Sequence, residues 1–203
     1  MRIPTVNRLH FLTYFLIAAS CVLTLVTTLD RSGHVLELLL ISPSEAQGFQ
    51  SIVQGQVWRL LTPIFVHFGV LHLLFNLQWL WILGSVLEAS NGRMFLTVFV
   101  LFVGIMSNVA EFVITRSVLF GGMSGVVYGL IGYVWVHGKY ARRPKFGITN
   151  SMLMWTLGWY ALCWTGVFGP IANWAHTFGL LIGLAIGFVD TFVMQGQSDP
   201  ELR

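Results

Sequence analysis

Ser124 stands among four glycines in GGMSGVVYG, residues 121–129, and a hydroxyl in that setting has two uses. It can be a small residue at which two helices pack closely, which is the commoner use of such a segment taken alone. It can also be a nucleophile. A serine hydroxyl attacks a carbonyl only when an adjacent base takes its proton, and imidazole both takes a proton near neutral pH and returns it to a leaving amine. The chain offers His176, in AHTFGLLIG, as that base. His72 and Asn76, four apart in HLLFN, share one helix face and can donate hydrogen bonds to an oxyanion. The amide of Ser124, at the start of a helix, is a further donor. The aspartates, Asp30, Asp190 and Asp199, are not placed to orient His176, so a Ser–His dyad is the most the chain is expected to offer. Tyr128, one helical turn beyond Ser124, can hold the imidazole by stacking.

These groups must be positioned by membrane helices. The 203 residues are 56% hydrophobic and 9% charged, too few charges to cover a water-facing surface, where about a quarter is usual. The mean hydropathy is +0.76. Six apolar segments are predicted, at about 9–29, 67–87, 94–114, 123–137, 148–168 and 174–194. The first is too long for a signal peptide and is read as a retained helix. The loop 30–66 has apolar patches too short to span and is expected to lie in the membrane interface. Glu88 and Arg93, flanking the turn after the second span, read as interfacial. One domain, 1–203, is expected, an all-α six-helix bundle. The net charge of +3 and the lack of a long basic run argue against a nucleic-acid partner. Cys21 and Cys163 both fall in apolar spans, which argues against a disulfide framework.

Arginine and lysine set the orientation. Arg2, Arg8, Arg93, Lys139, Arg142, Arg143, Lys145 and Arg203 fall on one side, and Arg31, Arg59 and Arg116 on the other. Both termini are therefore expected in the cytoplasm, with Ser124, His176, His72 and Asn76 toward the outer half of the bilayer. From Ser124 to His137 is about 20 Å of helix, against a core of about 30 Å. Ser124 then starts a helix below the outer surface, reached by irregular backbone at Gly122 and Met123, which requires a wet cavity or protein around it. Gly125, Gly129 and Gly132 form one smooth stripe, and Gly179, Gly183 and Gly187 another. If the stripes meet, His176 arrives at Ser124.

Other readings of the polar groups are a non-enzymatic adaptor that binds transmembrane helices and a small transporter that uses His72 and His176 as proton sites. Metal binding is disfavoured, because the HExxH pattern is absent and neither Cys nor Asp completes a ligand set. The four groups together, at compatible depth and on compatible faces, favour catalysis.

The ordered motifs Trp58-Arg59, His72–Asn76, Gly122–Gly125 (GMSG) and Ala175–Gly183 resemble those of the rhomboid intramembrane serine proteases in their compact bacterial six-helix form. The likeness covers about 57–190; residues 1–56 match loosely, and the soluble N-terminal domain of some bacterial relatives is expected to be missing. The resemblance implies Ser124 as nucleophile and His176 as base, with His72, Asn76 and the Ser124 amide as the oxyanion site. It implies Tyr128 beneath the histidine, Asn173 in a supporting role, and a mobile cap near 165–173. It further implies transmembrane protein substrates, a bacterial inner-membrane location with the site open to the periplasm, and no metal or cofactor.

Overall fold

The computed structural model describes residues 10–141, 144 and 146–194, and these are helical or irregular, with no strand among them. Arg2, Arg8, Arg142, Arg143, Lys145, Arg203 and the polar tail, used above for orientation, lie outside the described residues. Among the described residues, four helices are long and apolar enough to cross a membrane: Phe11–Leu29, Val70–Asn91, Arg93–Thr115 and Asn173–Phe192. The helices in chain order are α1 (Phe11–Leu29), α2 (His34–Leu39), α3 (Gln50–Val53), α4 (Val70–Trp79), α5 (Ser85–Asn91), α6 (Arg93–Thr115), α7 (Ser124–Tyr140), α8 (Asn150–Cys163) and α9 (Asn173–Phe188). A π-helical turn, Leu80–Gly84, joins α4 to α5, and another, Val189–Met194, follows α9.

Several expected boundaries move. The second span begins at Val70, because Gly69 at φ 136° breaks the backbone before it, and His67 therefore belongs to the preceding turn. The fifth stops at Cys163, five residues short of the expected end, because Gly166 and Gly169 at positive φ turn the chain. The fourth runs on to Tyr140, about 25 Å at 1.5 Å per residue.

The bundle is organised around α7, most of whose apolar residues are buried, among them Val126, Leu130, Tyr133 and Val136. The outer helices turn large apolar residues outward, such as Leu25, Leu71, Val98, Phe102, Trp155 and Leu181, as lipid-facing surfaces require. The two glycine stripes do meet. A Cβ on Gly179 would overlap the carbonyl oxygen of Gly125, and one on Gly183 would overlap that of Gly129. Backbone therefore lies directly on backbone between α7 and α9, an approach only glycine permits.

The segment between α1 and α4 is built rather than loose. Arg59, 2% exposed, donates to Gln56 Oε1 at 2.6 Å, to the Leu40 carbonyl at 2.8 Å and to the Glu37 carbonyl. Asn108 on α6 donates to the Leu60 carbonyl at 2.9 Å and ties this segment to the bundle. Glu88, expected at the interface, is instead buried: its carboxylate accepts from the amides of Leu12 and Thr13, both at 2.9 Å, and from the Thr13 hydroxyl. It serves as the missing cap of α1, whose own N-cap residue makes no side-chain bond. Arg93 lies 3.4 Å from the Glu88 carboxylate.

Candidate active site

Gly121 and Gly122 bring the chain under the loop before α4. A Cβ on Gly121 would lie 2.7 Å from the Val66 carbonyl oxygen, and the Gly122 amide donates to the Pro63 carbonyl at 3.0 Å. Gly122, at φ 110°, adopts a backbone that side chains other than glycine rarely reach. A Cβ there would also sit 2.6 Å from Nε2 of His72 and 3.7 Å from Nδ2 of Asn76. The absent side chain is thus what lets the two α4 donors stand beside the backbone that leads into Ser124.

Ser124 is the first residue of α7. Nε2 of His176, 5% exposed, lies 2.8 Å from its Oγ. Because the hydroxyl must donate to Nε2 for its proton to be taken, the imidazole carries its own proton on Nδ1. That nitrogen has no hydrogen-bond partner among the described residues. Tyr128 packs on the imidazole with ring centres 4.7 Å apart and planes at 31°. Asn76 is buried, and its amide donates to the His72 carbonyl at 2.8 Å, which leaves its second N–H available. Asn173 donates to the Cys163 carbonyl at 3.2 Å, pinning the end of α8 to the start of α9.

A cavity of about 710 Å³ opens onto these groups. His72, Asn76, Ser124, Tyr128 and His176 line it, with Phe75 and Trp159 from α4 and α8. Phe168, Pro170 and Ile171 from the expected cap segment also line it. The arrangement holds a hydroxyl, a base in contact with it, and side-chain and helix-terminal donors around one space, which are the parts of an acyl-transfer site.

Two residues here were not anticipated from sequence. Nε2 of His67 accepts from the Met123 amide at 3.3 Å, and its ring meets that of His72 edge-on at 5.0 Å. Outside the helices, His67 has its pKa pushed down to about 4 by burial, helped by neighbouring His72, which keeps it a neutral acceptor at physiological pH. Glu111 on α6 is 4% exposed, lines the cavity and accepts from the Ala175 amide at 3.0 Å. An ionisable residue inside a predicted span is itself a signal of function, and Glu111 carried it.

Residues 54–191 match the Rhomboid domain family. The chain is 40% identical over 146 residues to a protein named rhomboid protease GlpG from Salmonella paratyphi A, and likewise to those of Salmonella enteritidis PT4 and Salmonella typhi. Each match covers 70% of this chain and 52% of the relative, so the chain spans about half the length of the curated relatives it matches. With its Rhomboid domain match extending over most of its length, the chain belongs to the rhomboid family.

Proposed function

We propose that this protein is an intramembrane serine endopeptidase that hydrolyses peptide bonds in or near transmembrane segments of membrane-protein substrates. The observation that carries the reading is the 2.8 Å contact between Nε2 of His176 and Oγ of Ser124, at a helix start and open to a cavity. The relatives named rhomboid protease support it.

In this reading Ser124 Oγ attacks the scissile carbonyl carbon while its proton passes to Nε2 of His176. The carbonyl oxygen becomes an oxyanion and receives hydrogen bonds from the Ser124 amide, His72 and the free N–H of Asn76. Collapse expels the amine, which takes the proton from Nε2, and leaves an acyl ester on Ser124. Water, deprotonated by the same imidazole, releases the acid product. Tyr128 keeps the ring in plane, and Gly122 and Gly125 keep the backbone close enough for each contact. The chain supplies the chemistry without a metal or cofactor.

Attack requires an extended substrate, since a helix engages its carbonyls in its own ladder. Substrates therefore carry small or helix-breaking residues near the outer end of their span. Substrate reaches Ser124 through the cavity, beneath the segment 165–173. The single domain occupies 1–203 in the bacterial inner membrane, with both termini cytoplasmic and the site open to the periplasm.

The test is labelling of the purified chain by a serine-directed fluorophosphonate together with cleavage of a transmembrane substrate. Both are expected in the wild type and lost in Ser124→Ala and His176→Ala. Cleavage that survives Ser124→Ala would overturn the reading.

A further inference from the structure

α9 carries His176 on its first turn, and the register of that turn decides whether the imidazole meets Ser124. The helix begins after Ala172, whose side chain cannot accept from the free N–H groups of a helix start, and the N-cap makes no side-chain bond. The acceptor comes from another helix. Oε2 of Glu111 takes the Ala175 N–H at 3.0 Å, one residue before His176. Glu111 sits near the end of α6, where Thr115 donates to its backbone carbonyl at 2.8 Å. Its neighbour Phe112 is fully buried in a small core with Ile41 and Phe120, against which Ala172 packs. The carboxyl is thus mounted on a rigid element that also holds the start of α9.

The glycine contacts do a different job. Gly125 against Gly179 and Gly129 against Gly183 set how far α9 stands from α7. They meet backbone along a smooth stripe, so they resist approach and separation better than sliding along the axis. The Glu111 bond lies at the end of the helix and resists that sliding and the fraying of the first turn.

We infer that Glu111 is a positioning residue, which caps α9 from the neighbouring helix and through that bond sets the imidazole of His176 on Ser124. Although it lines the cavity, its assigned action is through the Ala175 amide and not on the reacting atoms. The inference rests on the protease reading, and it assigns to this carboxyl the orienting work that a triad gives to its third member.

The experiment measures kcat and KM of the full chain on a transmembrane substrate, with the fluorophosphonate labelling rate, for Glu111→Gln, Glu111→Asp and Glu111→Leu. Gln keeps an acceptor at the same reach and is expected within threefold of the wild-type kcat. Asp withdraws the acceptor by one methylene and Leu removes it; each is expected to lower kcat and the labelling rate at least tenfold, with KM within twofold. Leu leaves buried amides unpaired, so if that variant does not fold, the Asp and Gln pair decides. The inference is overturned if Asp retains wild-type kcat, if the loss falls in KM, or if Gln falls as far as Asp. A wild-type chain without Ser124-dependent cleavage overturns the protease reading and this inference together, whereas an active wild type with an undiminished Asp variant overturns this inference alone.

Discussion

Replacing Gly179 by alanine places a methyl group on the contact that sets the spacing of α7 and α9. That methyl would overlap the Gly125 carbonyl oxygen and lie 2.8 Å from the carbonyl carbon. Carbon–carbon contact settles at about 3.5–4.0 Å, so α9 must back away by about 1 Å at this turn. Both neighbours are backbone, so no side chain can swing aside to absorb the shift. His176 is three residues earlier on the same face and moves with Gly179. Its 2.8 Å contact with Ser124 would open toward about 3.8 Å, beyond a hydrogen bond. A misplacement of about 1 Å costs on the order of 100-fold in rate. Alanine is also the better helix former by about 1 kcal/mol, which offsets part of the packing penalty and keeps the folded variant measurable. The assay is kcat/KM on a transmembrane substrate, with the rate of Ser124 labelling as a second readout that needs no substrate binding. Gly158→Ala is the control, since a Cβ there meets nothing within 4 Å, and it is expected to leave the rate unchanged. A folded Gly179→Ala protein that labels and cleaves within threefold of wild type would refute the argument that backbone contact at this turn positions the base.

Asn76→Ala removes a proposed oxyanion donor and is expected to lower kcat by about 100- to 1,000-fold at unchanged thermal stability, read in the same cleavage assay. Gly122→Ala drives a methyl into the ring of His72 at 2.6 Å and forces a strained φ, so kcat is expected to fall at least as far. Arg59→Ala leaves the buried carbonyl of Leu40 and the partly buried one of Glu37 without this donor and is expected to cost about 2 kcal/mol, seen as an earlier thermal unfolding in detergent. Lysine should not rescue it, because the two carbonyls and Gln56 are reached by different guanidinium nitrogens or directions. Asp30 accepts from the Ser32 side chain and from the Ser32 and Val35 amides, and the Ser32 side chain above all holds its carboxyl below the ordinary 3.8. A depressed carboxyl favours the folded turn above the unfolded pKa and ceases to do so as pH falls through the folded one. The Val35 amide resonance should therefore shift on acidification below the ordinary value, and in Asp30→Ala it should not titrate.

Membrane class, the order of the long helices and the two glycine stripes are all readable in one dimension, because hydropathy and small-residue spacing are local patterns. The same holds for the reach of His176 toward Ser124, which follows once the stripes are laid together. The termini of helices were harder: a positive-φ glycine at 69 or 166 ends a helix that hydropathy alone would prolong. Glu88 and Glu111 were harder still. Each caps a helix that is distant in sequence, α1 from 75 residues away and α9 from 64.

What the sequence determined by itself is which chemical groups enter the bilayer and at what helical spacing, since composition and periodicity bind every residue to its own element. Which of those groups meet across elements depends on the packed fold: Gly122 makes room for His72, His67 holds the Met123 amide, and Glu111 completes the start of α9. A hydrogen bond between helices depends on their relative depth and rotation to a fraction of an ångström, and those are set by packing contacts no local pattern records.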